Sequence, residues 1–317
     1  MNNNDMKSPN IAPNLREQLT AMLESENLSQ AQIANESGVG KTRFNQWLKG
    51  VYPGNNSEIE GKLTVWLEAR KSRGEQLEKF PQPPAWVETK SGKRILTALS
   101  YAQIAGDICC IYGGAGVGKT YTCRHYAESS PNVWIATMNS TSATLAASLE
   151  QIAIALGLKN YPARSSRLAM VIAERLNNTF GLMIIDEAQH LNKAALEAIR
   201  SLHDQTGIGF ALVGNEIVYS QLSGGGTRSE GFAQLFSRIG KRIRLNRPME
   251  DDILSLAGAW GITDKKITNE LINIASKPGA LRGLTKTLRL GSMIAAGKNT
   301  PLGLTEIHAA NRELNIG

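Results

Sequence analysis

Apolar residues in the first quarter of the chain recur at helical spacing. From Leu15 to about Arg70 they fall three or four positions apart, with short polar breaks and no alternation of period two. This predicts a small all-α domain over 15–72. The polar run before it, 1–14, is expected to be disordered. Pro81, Pro83 and Pro84 then forbid helix and favour an extended spacer, placed at 73–90. Beyond the prolines, the short apolar runs "DICCIYG", "NVWIATMN", "GLMIIDE", "IGFALVGN" and "KRIRL" are separated by amphipathic helical sequence. Such alternation predicts an α/β core, a parallel sheet flanked by helices, over 91–247. After Arg247 the strand candidates stop. Helical spacing at about 249–260, 266–277, 280–296 and 304–313 predicts an all-α lid over 248–317.

The junction between the first strand candidate and the next helix carries the sharpest chemistry. Gly113, Gly118, Lys119 and Thr120 match the pattern G-x-x-x-x-G-K-[ST] in the required strand-to-helix setting. Backbone N–H groups of the run Gly113, Gly114, Ala115, Gly116, Val117, Gly118, with Lys119, Thr120 and Tyr121 opening the helix, would cradle the phosphates of ATP. Lys119 would meet the β and γ oxygens, and Thr120 would ligate Mg²⁺. The strand "LMIIDE" ends in Asp186 and Glu187, at the sheet edge where such folds place ligands. Asp186 is expected in the Mg²⁺ shell and Glu187 as the group that polarises the attacking water, so the pair implies hydrolysis as well as binding. Asn215 ends "FALVGN" beside the expected γ-phosphate, and Arg282 in "KPGALRGL" opens a lid helix. On residues alone, Asn215 is also an ordinary turn former and Arg282 an ordinary solvated arginine.

The order GGAGVGKT, IIDE, VGN, SR and GALR resembles the AAA+ ATPases. That resemblance implies that Asn215 is the sensor 1 residue and Arg282 the sensor 2 residue. It also implies an arginine finger, Arg238 or its competitor Arg242, inserted into a neighbouring copy's site. A finger acting in trans implies head-to-tail self-association as a ring or helical filament.

The stretch "QAQIANESGVGKTRFNQWLKG" resembles the helix-turn-helix of phage-repressor type. Ala34 is small where two helices cross, Gly38 sits in the turn, and Ile33, Val39, Phe44 and Trp47 take the buried spacings. The second helix, from about Lys41 to Lys49, would turn Lys41, Thr42, Arg43, Asn45 and Gln46 outward toward DNA. "KGVYPGN" reads as a turn, and "IEGKLTVWLEAR" as a packing helix with Trp66 and Leu67 in the core. A protein-contacting role stays open, because residues 1–80 hold ten Lys/Arg against ten Asp/Glu.

All of the net charge of +7 therefore lies in 81–317, with its densest cluster in "SRIGKRIRLNR". A basic ATPase region favours a polyanionic partner. Candidate DNA contacts are Lys159, Arg164 and Arg167 around "KNYPARSSR", Arg228 in "SGGGTRSE", and the hydroxyl-rich "MNSTSAT"; an ordinary solvated loop is the alternative at each. Together with "NVWIATMN", "GLMIIDEAQHL", "VYSQLSGG" and "KPGALRGLTKTLRLG", the chain resembles the phage Mu transposition protein B family over nearly its whole length. The resemblance implies an ATPase that polymerises on duplex DNA, delivers it to a DDE-type transposase and is released by hydrolysis. A replication initiator or helicase loader, and a non-enzymatic transcription regulator with a nucleotide-sensing domain, are the competing readings.

No run of about eighteen uncharged apolar residues is present, so no membrane partner is expected, and the start of the chain lacks a signal-peptide pattern. The bacterial host cytoplasm is the expected compartment. Cys109, Cys110 and Cys123 lack metal or redox spacing, and the first two read as buried strand residues.

Overall fold

The computed structural model describes residues 14–25, 28–79, 85–223 and 237–314. The chain divides into two compact units, Met1–Phe80 and Pro81–Gly317. The first contains α1 (Leu15–Ser25), α2 (Gln30–Ser37), α3 (Lys41–Leu48) and α4 (Asn56–Lys79). The Ser29 hydroxyl caps α2 by accepting from the Gln32 N–H at 3.1 Å. Gly38 ends the helix in the left-handed region, turning the chain into α3 within three residues. Leu19, Ile33, Ala34, Val39, Phe44, Trp47, Ile59, Leu63 and Leu67 form its core.

Two expectations need correction here. Trp66 is only partly buried, because its indole N–H reaches Glu36 on α2 at 3.0 Å and Arg70 covers its ring. The spacer expected at 73–90 is shorter, since α4 continues to Lys79 and the next helix begins at Lys90. Nothing in "ARKSRGEQLEK" breaks a helix strongly, and the first proline comes at 81. The segment 1–14 expected to be disordered lies outside the described residues except for Asn14.

In the second unit α5 (Lys90–Ala105) precedes a five-stranded, wholly parallel sheet. Its strands are β1 (Ile108–Gly113), β2 (Val133–Thr137), β3 (Leu182–Asp186), β4 (Gly209–Gly214) and β5 (Ile239–Leu245), in the order β2-β3-β4-β1-β5. Between them run α6 (Lys119–Ser129), α7 (Leu145–Ala155), α8 (Ser165–Leu176), α9 (Lys193–Thr206) and α10 (Glu216–Ser223). Both sheet faces are covered, which is why the strands read as continuous apolar runs. In β1, Ile108, Cys110 and Tyr112 join the core with α7, α8 and α9, while Cys109 and Ile111 face α5 and α6.

The four C-terminal helices are α11 (Glu250–Ala259), α12 (Lys265–Ser276), α13 (Ala280–Gly297) and α14 (Leu304–Glu313), each within one residue of its expected bounds. They share a core of Ile253, Leu271, Ile274, Leu284, Leu288 and Ile307. Asp252, fully buried in the first turn of α11, ties this layer to the start of α5: its carboxylate accepts from the Ser91 N–H at 2.8 Å and the Ser91 hydroxyl at 2.6 Å. Among the described residues no helix is long and apolar enough to cross a membrane.

Candidate nucleotide site and nucleic-acid surfaces

The loop between β1 and α6 lies at the C-terminal edge of the sheet, where the N-terminus of α6 opens toward it. Gly116 has φ +77°, and a Cβ there would overlap the carbonyl oxygen of Gly279, which caps α13. Loop and lid thus meet backbone to backbone. The ammonium of Lys119 donates to the carbonyls of Gly113 at 3.0 Å and Gly114 at 2.7 Å. Burial pulls its pKa down, against the opposing pull of Glu187 and Asp186.

Beside the loop, Asp186 is 2% exposed. One carboxylate oxygen accepts from the Thr120 hydroxyl at 2.9 Å and the other from the Glu187 N–H at 3.0 Å. Burial raises the Asp186 pKa, and those two hydrogen bonds hold it back. Glu187 takes φ +54°, a left-handed backbone that turns its side chain off the strand line into the cavity. Gln189 joins it: the Gln189 amide donates to Glu187, and its carbonyl accepts from the Asn215 N–H at 3.3 Å. A Cβ on Gly214 would strike that same amide. The Asn215 side-chain carbonyl accepts from the Ile217 N–H at 2.9 Å, so it caps α10.

A cavity of about 580 Å³ spans the loop and the lid, within the range of cofactor sites. It brings together Gly113, Ala115, Gly116, Gly118, Lys119, Thr120, Tyr121, Glu187, Asn215 and Arg282. Gly114 backs onto Asn246, Val117 is buried in the core, and Asp186 stands behind Thr120. A buried carboxylate bonded to a hydroxyl suits Mg²⁺, which takes one or two protein ligands and fills its shell with water and phosphate. No cluster of three His, Cys, Asp or Glu exists among the described residues, so a dedicated all-protein cage is absent there.

Sequence reasoning missed the wall at the other end. Trp86, inside the stretch read as spacer, stacks on His125 with ring centroids 3.7 Å apart and on Tyr121 at 5.3 Å. The Tyr121 hydroxyl donates to the Ala85 carbonyl, strapping this segment to α6. Leu256, Trp260 and Leu281 complete an apolar wall from the lid, and the Trp260 indole N–H has no acceptor among the described residues. Lys286 and Arg289 follow Arg282 at helical spacing on the same cavity wall, a signal that was legible in "ALRGLTKTLR".

Arg238 lies elsewhere. It immediately precedes β5, whereas the phosphate loop follows the C-terminal end of β1, which pairs with β5 in parallel. The seven residues of β5 separate the two by about 20 Å. Arg238 donates through Nε to Asp204 at 2.6 Å. Arg242 sits mid-strand on β5, opposite Cys110.

In the first unit Lys41, Thr42 and Arg43 are exposed on α3, while Asn45 is half-buried and donates to Gln30 on α2 at 2.8 Å, with Gln46 also half-buried. Lys159, Arg164 and Arg167 are exposed around the α7–α8 connection. "MNSTSAT" uses its polar groups locally: Asn139 accepts from the Thr141 and Ser142 N–H groups, and Thr144 caps α7. Arg228 lies outside the described residues.

The family described as "AAA domain" matches residues 105–222, and "Mu B transposition protein, C terminal" matches 237–314. The chain is 38% identical over 302 residues, 95% of each protein, to the "ATP-dependent target DNA activator B" of Escherichia phage Mu. It is 36% identical over 266 residues, 84% of this chain and 92% of the relative, to the "Mu-like prophage FluMu DNA transposition protein B" of Haemophilus influenzae. Among solved structures it is similar to Drosophila ORC bound to DNA, with a TM-score of 0.50 and 14% identity over 74% of this chain and 63% of that one, which shows a shared fold. The chain belongs to the family of Mu B transposition proteins, the ATP-dependent target DNA activators, and has an AAA+ ATPase core.

Proposed function

We propose that this ATPase assembles head to tail on duplex DNA, presents that DNA to a DDE-type transposase to stimulate strand transfer, and lets go when ATP is hydrolysed. The observation that carries this reading is the separation of the site's parts. Loop, Asp186 and Glu187 occupy one edge of the sheet, and Arg238 the opposite edge of the same chain. An arginine about 20 Å away cannot serve its own loop, but it can serve a second copy's.

Within each site the geometry supports a division of roles. Backbone N–H groups of the loop and the Lys119 ammonium would bind the β and γ phosphates. Thr120 and Asp186 would hold Mg²⁺, which would neutralise phosphate charge. Glu187 orients and deprotonates the attacking water, while Asn215 and Arg282, which line the same cavity, would meet the γ-phosphate. The apolar wall of Trp86, Leu256 and Trp260 suits a purine ring, and its orphan indole N–H suits an acceptor on the nucleoside.

Electron microscopy of the protein with duplex and a nonhydrolysable ATP analogue tests the assembly. Continuous filaments or rings on duplex of any sequence are expected, and their absence defeats the reading. Lys119→Ala should remove ATP binding and assembly together. Glu187→Gln should retain ATP, slow hydrolysis and leave persistent assemblies; normal turnover would remove Glu187 from its role.

A further inference from the structure

We propose that Asp204 is the positioning residue for Arg238, fixing the guanidinium that one copy offers to the next; this rests on the reading of Arg238 as a finger acting in trans. Asp204 stands in the last turn of α9, where the carbonyl end of a helix disfavours negative charge. It is instead held by cations on both sides. One oxygen accepts from Arg238 Nε at 2.6 Å, and the other from Arg200, whose remaining donors bind Glu197 one turn back. Hydrogen bonding from Arg238 keeps the Asp204 carboxyl below its ordinary range against the opposing effect of burial, and the charges of Arg238 and Arg200 add to it.

The support beneath the pair is tied to the sheet. Next to Asp204, His203 is anchored through Nε2 to the carbonyl oxygen of Gly106, at the turn that leads into β1. An arginine side chain otherwise gives up about 2 kcal/mol of rotamer freedom when it is fixed. Gripping it at Nε, the inner nitrogen of the guanidinium, prepays that ordering before a second copy arrives.

Mixed assemblies of full-length chains on duplex DNA, with ATP and Mg²⁺, test the role. Glu187→Gln copies supply a finger but little turnover, and Arg238→Ala copies supply a site but no finger. Mixing them should restore turnover. Asp204→Ala placed in the Glu187→Gln copy should then lower it roughly tenfold or more, while the same change in the Arg238→Ala copy leaves it within about twofold. Asp204→Asn, which keeps an acceptor oxygen, should lie between. Equal loss in both placements would mean a merely structural role and overturn the proposal, as would no loss. A gain would mean that Asp204 withholds the finger, and would overturn it too. If the mixture without any change at Asp204 stays inactive while the unaltered protein turns over, the trans reading itself fails and takes this role with it.

Discussion

A single methyl group is enough to test the closest approach in the nucleotide site. Gly116→Ala would force a Cβ into the Gly279 carbonyl at a backbone φ that side chains rarely adopt. We expect ATP affinity to fall at least roughly tenfold with the far-UV circular dichroism unchanged, read by titration with a fluorescent nucleotide. Asp186 offers a pH test. Its carboxyl is raised by burial and must be ionised to hold a cation, so Mg²⁺-dependent ATP binding should weaken on acidification at a pH above the usual aspartate range. Asp186→Asn should remove that dependence. For the unliganded fold the sign reverses: a carboxyl raised on folding takes up its proton more readily than in the unfolded chain, so acidification through this window adds stability from this group. The thiols of Cys109, Cys110 and Cys123 are buried, and burial lifts all three, Cys110 to about 12. Alkylation at mildly alkaline pH should therefore occur only as the core opens, and its rate should track denaturant.

Elements were legible wherever one period dominated. The continuous apolar run of β1 and the apolar stripe of α13 are strong local signals, and both appear where expected. Trp86 was not legible, because its place depends on stacking against Tyr121 and His125 from a helix more than thirty residues later. Gln189 lies two residues after the acidic pair, but only the fold brings the Asn215 N–H to it. The same holds for Asp252, which looked like one acid among three at a helix start. It closes the link between α5 and α11, also accepting from the Met249 N–H at 2.8 Å. Asp252→Ala should cost about 3 kcal/mol by leaving buried donors unpaired, seen as a lower denaturation midpoint, whereas Ser91→Ala, which keeps the backbone N–H bond, should cost about 1 kcal/mol.

For the whole molecule, charge and polarity of assembly are the properties to read. With the excess of +7 confined to 81–317, binding to duplex should be dominated by phosphate contacts. We expect affinity to drop on the order of a thousandfold between about 50 and 200 mM salt while varying little with sequence, as fluorescence anisotropy would report. The placement of Arg238 on the far side of the sheet from its own phosphate loop has a last consequence. An open row of copies built this way would have two unlike tips: one would present a loaded pocket that nothing completes, the other an arginine with no pocket to enter. Hydrolysis would then be an interior event, short rows would idle more than long ones, and the tip with the uncompleted pocket would be the slowest to empty.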